Sequence, residues 1–219
     1  MKVVIIKYNA GNIFSVDYAL RRIGFHAEIT DNHDRIKDAD RVIFPGVGEA
    51  STTMQYLQQH GLDTVICNLK QPVLGICIGM QLMCRHSEEG NTACLGIFNE
   101  NVKRFRSSPG IKVPHIGWNS LQNINSPLFN GLPDNPFVYF VHSYYVETGA
   151  YTVAASSHPE PFSAALQRDN FYALQFHPEK SGRIGEKVLK NFIEGIHSRS
   201  AHNLSGCEAA DRVDTNYFL

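Results

Sequence analysis

Short apolar runs alternate with segments of helical spacing through the first half of the chain. Strands are predicted at Val3–Ile6, Ala27–Thr30, Arg41–Phe44 and residues 72–75, and the first of them is a continuous apolar run typical of a strand buried on both faces. Between the first two runs, apolar residues recur every three or four positions and stop at Gly24, as in an amphipathic helix. This alternation predicts an α/β fold with a mostly parallel central sheet and helices on both faces. In such a sheet, the loops after Ile6, Phe44 and Ile76 share one edge.

The pattern changes after about Cys94. Short apolar and aromatic segments, separated by Gly, Pro and Asn, follow at residues 95–98, 102–105, 136–141, 151–155, 163–166 and 171–176. They predict antiparallel strands added to the α/β core. Further helices are expected over residues 51–59, 62–70 and 182–197, the last with one apolar face that packs on the core.

The composition is that of an ordinary globular chain. Its 219 residues, 43% of them apolar and 19% charged, suffice for one domain, which we expect at residues 1–199. The formal net charge of −1 gives no reason to expect nucleic acid or an anionic membrane as a partner. No apolar run reaches the roughly 18 residues of a membrane span. The first run is too short for a signal peptide, so we expect a cytoplasmic protein.

The cysteines and histidines give no pattern of metal ligands. The five cysteines (67, 77, 84, 94 and 207) are odd in number and lack the spacing of a metal site. We therefore expect reduced thiols, no metal and no cofactor. Residues 200–219 show no clear period, and we expect a tail of unknown role there, either a disordered natural extension or a remnant added for expression.

One cysteine stands between two glycines where the fourth apolar run ends and a helical segment begins. The stretch Gly75-Ile76-Cys77-Ile78-Gly79 has the spacing of a nucleophile elbow, with cysteine as the nucleophile. The glycines permit a tight turn, and the helix behind it directs backbone N–H groups at the sulfur, which favours a thiolate. The alternative is a buried cysteine that packs as a small hydrophobic residue.

A histidine and a glutamate follow the last apolar run, in Gln175-Phe176-His177-Pro178-Glu179. Residues two apart on an extended backbone project from the same face, and Pro178 favours extended geometry at His177. A carboxylate beside an imidazole fixes its tautomer and stabilises its cation, as the third member of a triad does. Alone, His-Pro-Glu is also typical of a strand end entering a turn. With Cys77, it predicts a nucleophile, a base and an orienting carboxylate.

The loop after Phe44 offers a place for an oxyanion hole. Acyl transfer through a thiolate needs two N–H donors directed at the developing oxyanion. The N–H of Ile78 is the natural first donor, and a backbone N–H of Pro45-Gly46-Val47-Gly48 is the natural second. Without the cysteine, this loop would be taken for an ordinary turn between a strand and a helix.

The motifs around Cys77 and His177 resemble the two signatures of the class I (triad) glutamine amidotransferases. Further segments resemble the branch of that family that serves histidine biosynthesis: Pro45-Gly46-Val47-Gly48, Ser87-Glu88-Glu89, Pro114-His115-Ile116-Gly117-Trp118-Asn119 and Tyr139-Phe140-Val141-His142-Ser143-Tyr144. The resemblance runs from Met1 to about His197. It implies a flavodoxin-like amidotransferase fold, and hydrolysis of L-glutamine to glutamate and ammonia through a thioester on the cysteine.

The resemblance also implies the roles of individual residues. The catalytic triad would be Cys77, His177 and Glu179, and the oxyanion hole would be formed by Ile78, Val47 and Gly48. The residues implied to hold glutamine are Gln81, Glu89, Ser143 and Tyr144, with the Glu89 carboxylate on the α-ammonium group, because charge-assisted hydrogen bonds are the stronger ones.

The same branch implies a partner. Its members form a heterodimer with a HisF-type cyclase of (β/α)8-barrel fold, which uses the ammonia to make imidazole glycerol phosphate and AICAR from PRFAR. The residues implied to face this partner are Asn12, Trp118 and Asn119. Other hypotheses stay open at this point: another triad amidotransferase subunit, a stand-alone hydrolase or peptidase, a non-enzymatic binding module, or a paralogue that supplies a different acceptor.

Overall fold

The computed structural model describes residues 1–8, 13–46, 48–107 and 110–196. The helices are α1 (Ile13–Arg22), α2 (His33–Lys37), α3 (Ala50–Gln59), α4 (Leu62–Cys67), α5 (Ile78–Leu82) and α6 (Gly182–Lys190), with a π-helical turn at Asn191–Gly195 and 3-10 turns at Glu89–Asn91, Pro127–Phe129 and Pro178–Lys180. The predicted tail at residues 200–219 lies outside the described residues, and the boundary at residue 199 stays a prediction.

Thirteen strands are present in this part of the chain. They are β1 (Val3–Ile6), β2 (Ala27–Thr30), β3 (Arg41–Phe44), β4 (Val73–Ile76), β5 (His86–Ser87), β6 (Thr92–Ala93), β7 (Asn101–Arg104), β8 (His115–Ser120), β9 (Phe137–His142), β10 (Tyr144–Val146), β11 (Thr152–Ser157), β12 (Pro161–Arg168) and β13 (Phe171–Leu174).

Seven strands form the central sheet, in the order β11-β12-β13-β4-β3-β1-β2. The five from β13 to β2 are parallel, whereas β11 and β12 are antiparallel additions at one edge. Successive side chains of a strand point to opposite faces, and on β1 Val3 and Ile5 join one hydrophobic core while Val4 and Ile6 join the other. Helices α1 and α6 cover the first face and α2 to α5 cover the second, which confirms the predicted α/β architecture.

The remaining strands build two small sheets beside the central one. One has the order β10-β7-β5-β6, and the other is the antiparallel pair β8-β9. Strand β9 ends at His142, and β10 begins at Tyr144, so a single residue separates two strands of different sheets. This junction lies beside the carboxyl ends of the central strands, because the N–H of His177 donates to the carbonyl of Tyr139 in β9 at 2.9 Å.

Two of the predicted added strands are wrong. The segment 95–98 is not a strand. Three of its N–H groups donate to the carbonyls of residues 82–84, at the end of α5 and just beyond it, and Gly96 has a φ of +70°. The segment 171–176 forms β13 over Phe171–Leu174, which is parallel to β4 and antiparallel to β12, so it belongs to the core sheet and is not an added strand. The helix expected over 62–70 ends at Cys67, and the one expected over 182–197 is α-helical only to Lys190.

The loops at the carboxyl edge of the sheet do meet, as predicted. The hydroxyl of Tyr8, after β1, donates to the carbonyl of Pro45, after β3. Gly46 lies so close to the turn after β4 that a Cβ there would stand 1.7 Å from Cγ2 of Ile78. This edge therefore gathers the segments that carry the predicted chemistry. In the described part of the chain, no helix is long and apolar enough to cross a membrane.

Candidate active site

Cys77 lies in a strained turn between β4 and α5. Its φ of 53° and ψ of −107° are unusual for a residue with a side chain, and such strain is found mostly at functional sites. Gly79 makes the turn possible, because a Cβ at that position would stand 2.1 Å from the carbonyl oxygen of Phe44. The geometry is that of a nucleophile elbow, as the sequence predicted.

His177 is fixed beside the elbow by its backbone. Its N–H donates to the Tyr139 carbonyl at 2.9 Å, and its carbonyl accepts from the hydroxyl of Ser181 at 2.7 Å. The same Ser181 oxygen accepts from the N–H of Tyr139 at 2.9 Å. Ser181 thus ties the histidine to β9. Its role was not predictable from the sequence, because its two partners, His177 and Tyr139, are distant from each other in the chain.

His177 and Glu179 form a buried pair. Nδ1 of His177 lies 2.7 Å from Oε1 of Glu179, and the two side chains are 1% and 0% exposed. His177 is extended, as expected, but Glu179 is in a 3-10 turn and not in an extended segment. The contact arises because the turn folds the carboxylate back towards the ring.

The protonation of His177 depends on its two neighbours. Burial alone lowers the pKa of the imidazole, because it removes water from the cation. The nearby Cys77 and the hydrogen-bonded carboxylate of Glu179 outweigh burial and raise the pKa of His177 to about 10. The structure therefore favours the imidazolium form of His177 at neutral pH.

A cavity of about 320 Å³ opens above the cysteine and the histidine. Its wall is formed by Gly48, Cys77, Ile78, Gln81, Glu89, Pro114, Val141, His142, Ser143, Tyr144 and His177. The structure thus brings all four residues expected to hold glutamine to the same cavity as two members of the predicted triad. Glu179 does not line it, since it lies behind His177.

Two of the expected substrate residues are already bonded within the chain. The side-chain nitrogen of Gln81 donates to the Tyr144 carbonyl and to Oε1 of Gln175, each at 3.0 Å. The Glu89 carboxylate accepts from the N–H of Ala50, the first residue of α3, at 2.8 Å. Burial raises the pKa of Glu89, although the bond from Ala50 opposes that change.

A buried pair of histidines supports the wall that carries Ser143 and Tyr144. Nδ1 of His142 lies 2.7 Å from the Tyr144 carbonyl, so this nitrogen carries the hydrogen and Nε2 is an acceptor. Nδ1 of His115 lies 3.1 Å from that acceptor and donates to it. Burial lowers the pKa of His142 to about 3 and that of His115 to about 4, which keeps both rings neutral.

The residues expected to face a partner are only partly described. Trp118 on β8 is 53% exposed, and its ring contacts that of Tyr139 edge to face at a centroid distance of 5.9 Å. The side chain of Asn119 donates to the Ser157 carbonyl at 2.9 Å and accepts from the N–H of Ser120 at 2.8 Å. Asn12, and Val47 of the expected oxyanion hole, lie outside the described residues. No group of His, Cys, Asp or Glu suited to a metal ion occurs among the residues described.

Comparisons with known proteins identify the family. The family model for class-I glutamine amidotransferase matches residues 4–196. A protein of Bacteroides fragilis named imidazole glycerol phosphate synthase subunit HisH is 60% identical over 195 residues, which cover 89% of this chain and all of the relative. The protein of that name from Haemophilus influenzae is 45% identical, with 90% of this chain and 98% of the relative covered.

Solved structures show the same fold at low sequence identity. A crystal structure of a glutamine amidotransferase has a TM-score of 0.69 at 17% identity, covering 88% of this chain and 99% of the other. PurLQS from Thermotoga maritima has a TM-score of 0.66 at 16% identity, covering 88% and 97%. The chain belongs to the class I glutamine amidotransferases and, within them, to the HisH subunits of imidazole glycerol phosphate synthase.

Proposed function

We propose that this chain is the glutaminase subunit of a two-subunit enzyme, with Cys77, His177 and Glu179 as its catalytic triad. The observation that carries the proposal is the common position of the three groups at the sheet edge, below a cavity lined by the expected substrate residues. A strained cysteine, a buried imidazole and an orienting carboxylate are the three parts that nucleophilic acyl transfer requires.

The reaction begins at the carboxamide carbon of glutamine. The thiolate of Cys77 attacks that carbon and forms a tetrahedral oxyanion. The C–N bond then breaks, and the leaving nitrogen takes its proton from the imidazolium of His177, so that ammonia and a thioester result. A water molecule that gives its proton to His177 next attacks the thioester, the C–S bond breaks, and glutamate leaves.

Backbone N–H groups stabilise both oxyanions. Ile78 is the first residue of α5, and the first N–H groups of a helix lack intrahelical acceptors. Its N–H is the first donor, and the second comes from the loop that contains Val47 and Gly48, as the close approach of Gly46 to Ile78 supports. Loss of one such donor typically lowers the rate about 100- to 1,000-fold.

The four proposed substrate residues bind the part of glutamine that is distant from the reacting amide. Glu89 takes the α-ammonium group, and Ser143 and Tyr144 contribute another part of the cavity wall, mostly through their backbone. Gln81 contributes mainly by fixing the Tyr144 carbonyl, since its own nitrogen already donates to two acceptors.

The ammonia passes to a HisF-type cyclase, which uses it to make imidazole glycerol phosphate and AICAR from PRFAR. The names of the relatives support this assignment. The exposed aromatic and apolar side chains of Ile116 (60%), Trp118 (53%) and Phe137 (59%) on the β8-β9 pair suit a protein interface. Asn12 and Asn119 complete the proposed contact. The two subunits act together in the cytoplasm, where thiols stay reduced.

Glutamate release from glutamine tests the proposal. The purified chain is assayed alone, with the cyclase, and with the cyclase plus PRFAR, beside a Cys77→Ala variant. We expect the partner and its substrate to stimulate release strongly, and the variant to show none. Fast release that the cyclase does not change would instead identify a stand-alone hydrolase, and release by the Cys77→Ala variant would exclude this nucleophile.

A further inference from the structure

Gln175 occupies a position that places a side-chain amide beside the nucleophile. In the parallel pair β13-β4, Leu174 is in register with Ile76, so the next residues, Gln175 and Cys77, are neighbours at the two strand ends. Gln175 is 0% exposed. Its side-chain nitrogen lies 3.8 Å from Sγ of Cys77, within the longer range of hydrogen bonds to sulfur.

The orientation of this amide follows from its neighbours. The Tyr144 carbonyl can only accept, so the atom of Gln81 that contacts it at 3.0 Å is the NH2 group. The same nitrogen of Gln81 lies 3.0 Å from a side-chain atom of Gln175 and directs its second hydrogen there. That atom of Gln175 must therefore be the oxygen. The NH2 group of Gln175 is then left facing the sulfur, so the network itself fixes the side-chain oxygen and nitrogen positions.

We propose that Gln175 is a further catalytic residue, which donates an N–H to the Cys77 thiolate and stabilises it before glutamine is attacked. The proposal deepens the function proposed above and rests on it. The donor is effective because it is buried: no water competes for it, and hydrogen bonds to a charged atom are stronger than neutral ones.

Gln81 has a second role in this arrangement. Its NH2 group joins the Tyr144 carbonyl, in the substrate wall, to the oxygen of Gln175. A change in the wall can therefore alter the direction of the donor at the sulfur. The chain of contacts continues on the other side of Tyr144, since its carbonyl also accepts from His142 and His142 accepts from His115.

Two substitutions distinguish the effect of the NH2 donor of Gln175 from the effect of its side-chain packing. Gln175→Glu keeps the shape and an oxygen for Gln81 but replaces the NH2 group by a second oxygen. Gln175→Met keeps much of the volume and removes both polar atoms. The matched control is Gln167→Met, because Gln167 lies on β12 opposite Tyr172, towards the other end of β13. The side-chain oxygen of Gln167 accepts a hydrogen bond from the hydroxyl of Ser126.

The measurement is the pH dependence of Cys77 alkylation by iodoacetamide, with kcat and KM for glutamine measured in parallel. We expect both Gln175 variants to move the alkylation midpoint upward by about one pH unit, equivalent to about 1.4 kcal/mol, and to lower kcat about tenfold with KM within about twofold. Gln167→Met should change neither quantity. Circular dichroism and thermal unfolding establish which variants are folded.

An unchanged alkylation midpoint in either folded variant overturns the proposal for Gln175. So does a loss of kcat in Gln175→Met that Gln175→Glu fully restores, because that result assigns the residue to packing. Failure of the function proposed above gives a different result: the unsubstituted chain would then release no glutamate even with the cyclase and PRFAR present, whatever the alkylation profile of the variants.

Discussion

Replacing Glu179 by Gln removes a charge behind His177, the proposed catalytic base, and leaves the cavity wall intact. The pair is 2.7 Å apart and fully buried, so solvent screens it little. Two unit charges about 4 Å apart interact by about 4 kcal/mol at an effective dielectric constant of 20. The amide oxygen of Gln can still accept from Nδ1, so we expect a loss of about 2–4 kcal/mol. This corresponds to about a 30- to 900-fold lower kcat.

KM for glutamine should stay within about threefold, because Glu179 does not line the cavity. The substitution also lowers the pKa of His177, since it removes one of the groups that raise it. Steady-state glutamate release at saturating glutamine measures kcat. Glu194→Gln on the surface is the control, since its pair with Lys190 is half exposed and should matter little. A Glu179→Gln enzyme with kcat within threefold of the parent would refute the electrostatic reasoning.

Three other changes test different parts of the structure. Gly46→Ala should lower kcat at least about 100-fold, because the new Cβ would stand 1.7 Å from a carbon of Ile78, whereas Gly195→Ala, with its nearest contact at 4.0 Å, should leave kcat unchanged. His115→Phe should reduce the loss of stability in acid. The pKa of this buried histidine is lowered to about 4, so its contribution to the free energy of unfolding is complete above pH 6.5 and is lost as the pH falls towards 4. In urea titrations, this loss has a slope of up to about 1.4 kcal/mol per pH unit. Trp118→Ala should weaken binding of the cyclase at least about tenfold by calorimetry, and should change the melting temperature little because the side chain is half exposed. Equal slopes for His115→Phe and the parent, or unchanged affinity for Trp118→Ala, would contradict these assignments.

The parallel core was predictable because its strands can be recognised from the apolar pattern of their own residues. A run such as Val3–Ile6 is buried on both faces, so all its residues are apolar. The segment 95–98 has similar composition, but its backbone partners are the carbonyls around the end of α5, which no local pattern reveals. The pairing partner of β13 was likewise not encoded in its own residues. A strand that joins the core beside β4 has the same apolar pattern as one added at an edge.

In the candidate site, too, features marked by the local sequence were predictable and features set by distant partners were not. The positions of Cys77 and His177 were predictable, because glycine and proline mark the turns that hold them. Ser181 and Gln175 were missed as parts of the site. Each acts through partners distant in the sequence, Tyr139 for Ser181 and Gln81 for Gln175, and only the folded chain brings these pairs together. The polar Gln175 within the apolar run 171–176 is a signal that could have found it, whereas Ser181 lies in a polar segment that gives no such signal.

Mass spectrometry of the chain after treatment with a diazo-ketone analogue of glutamine tests most directly that Cys77 is the nucleophile. Two of the other described cysteines offer a built-in comparison, since burial raises the pKa of Cys94 to about 12 and also raises that of Cys84. We predict one adduct per chain, located on the peptide that contains Cys77 and prevented by excess glutamine. An adduct on another cysteine, or labelling of the Cys77→Ala variant to the same extent, would contradict the proposed mechanism.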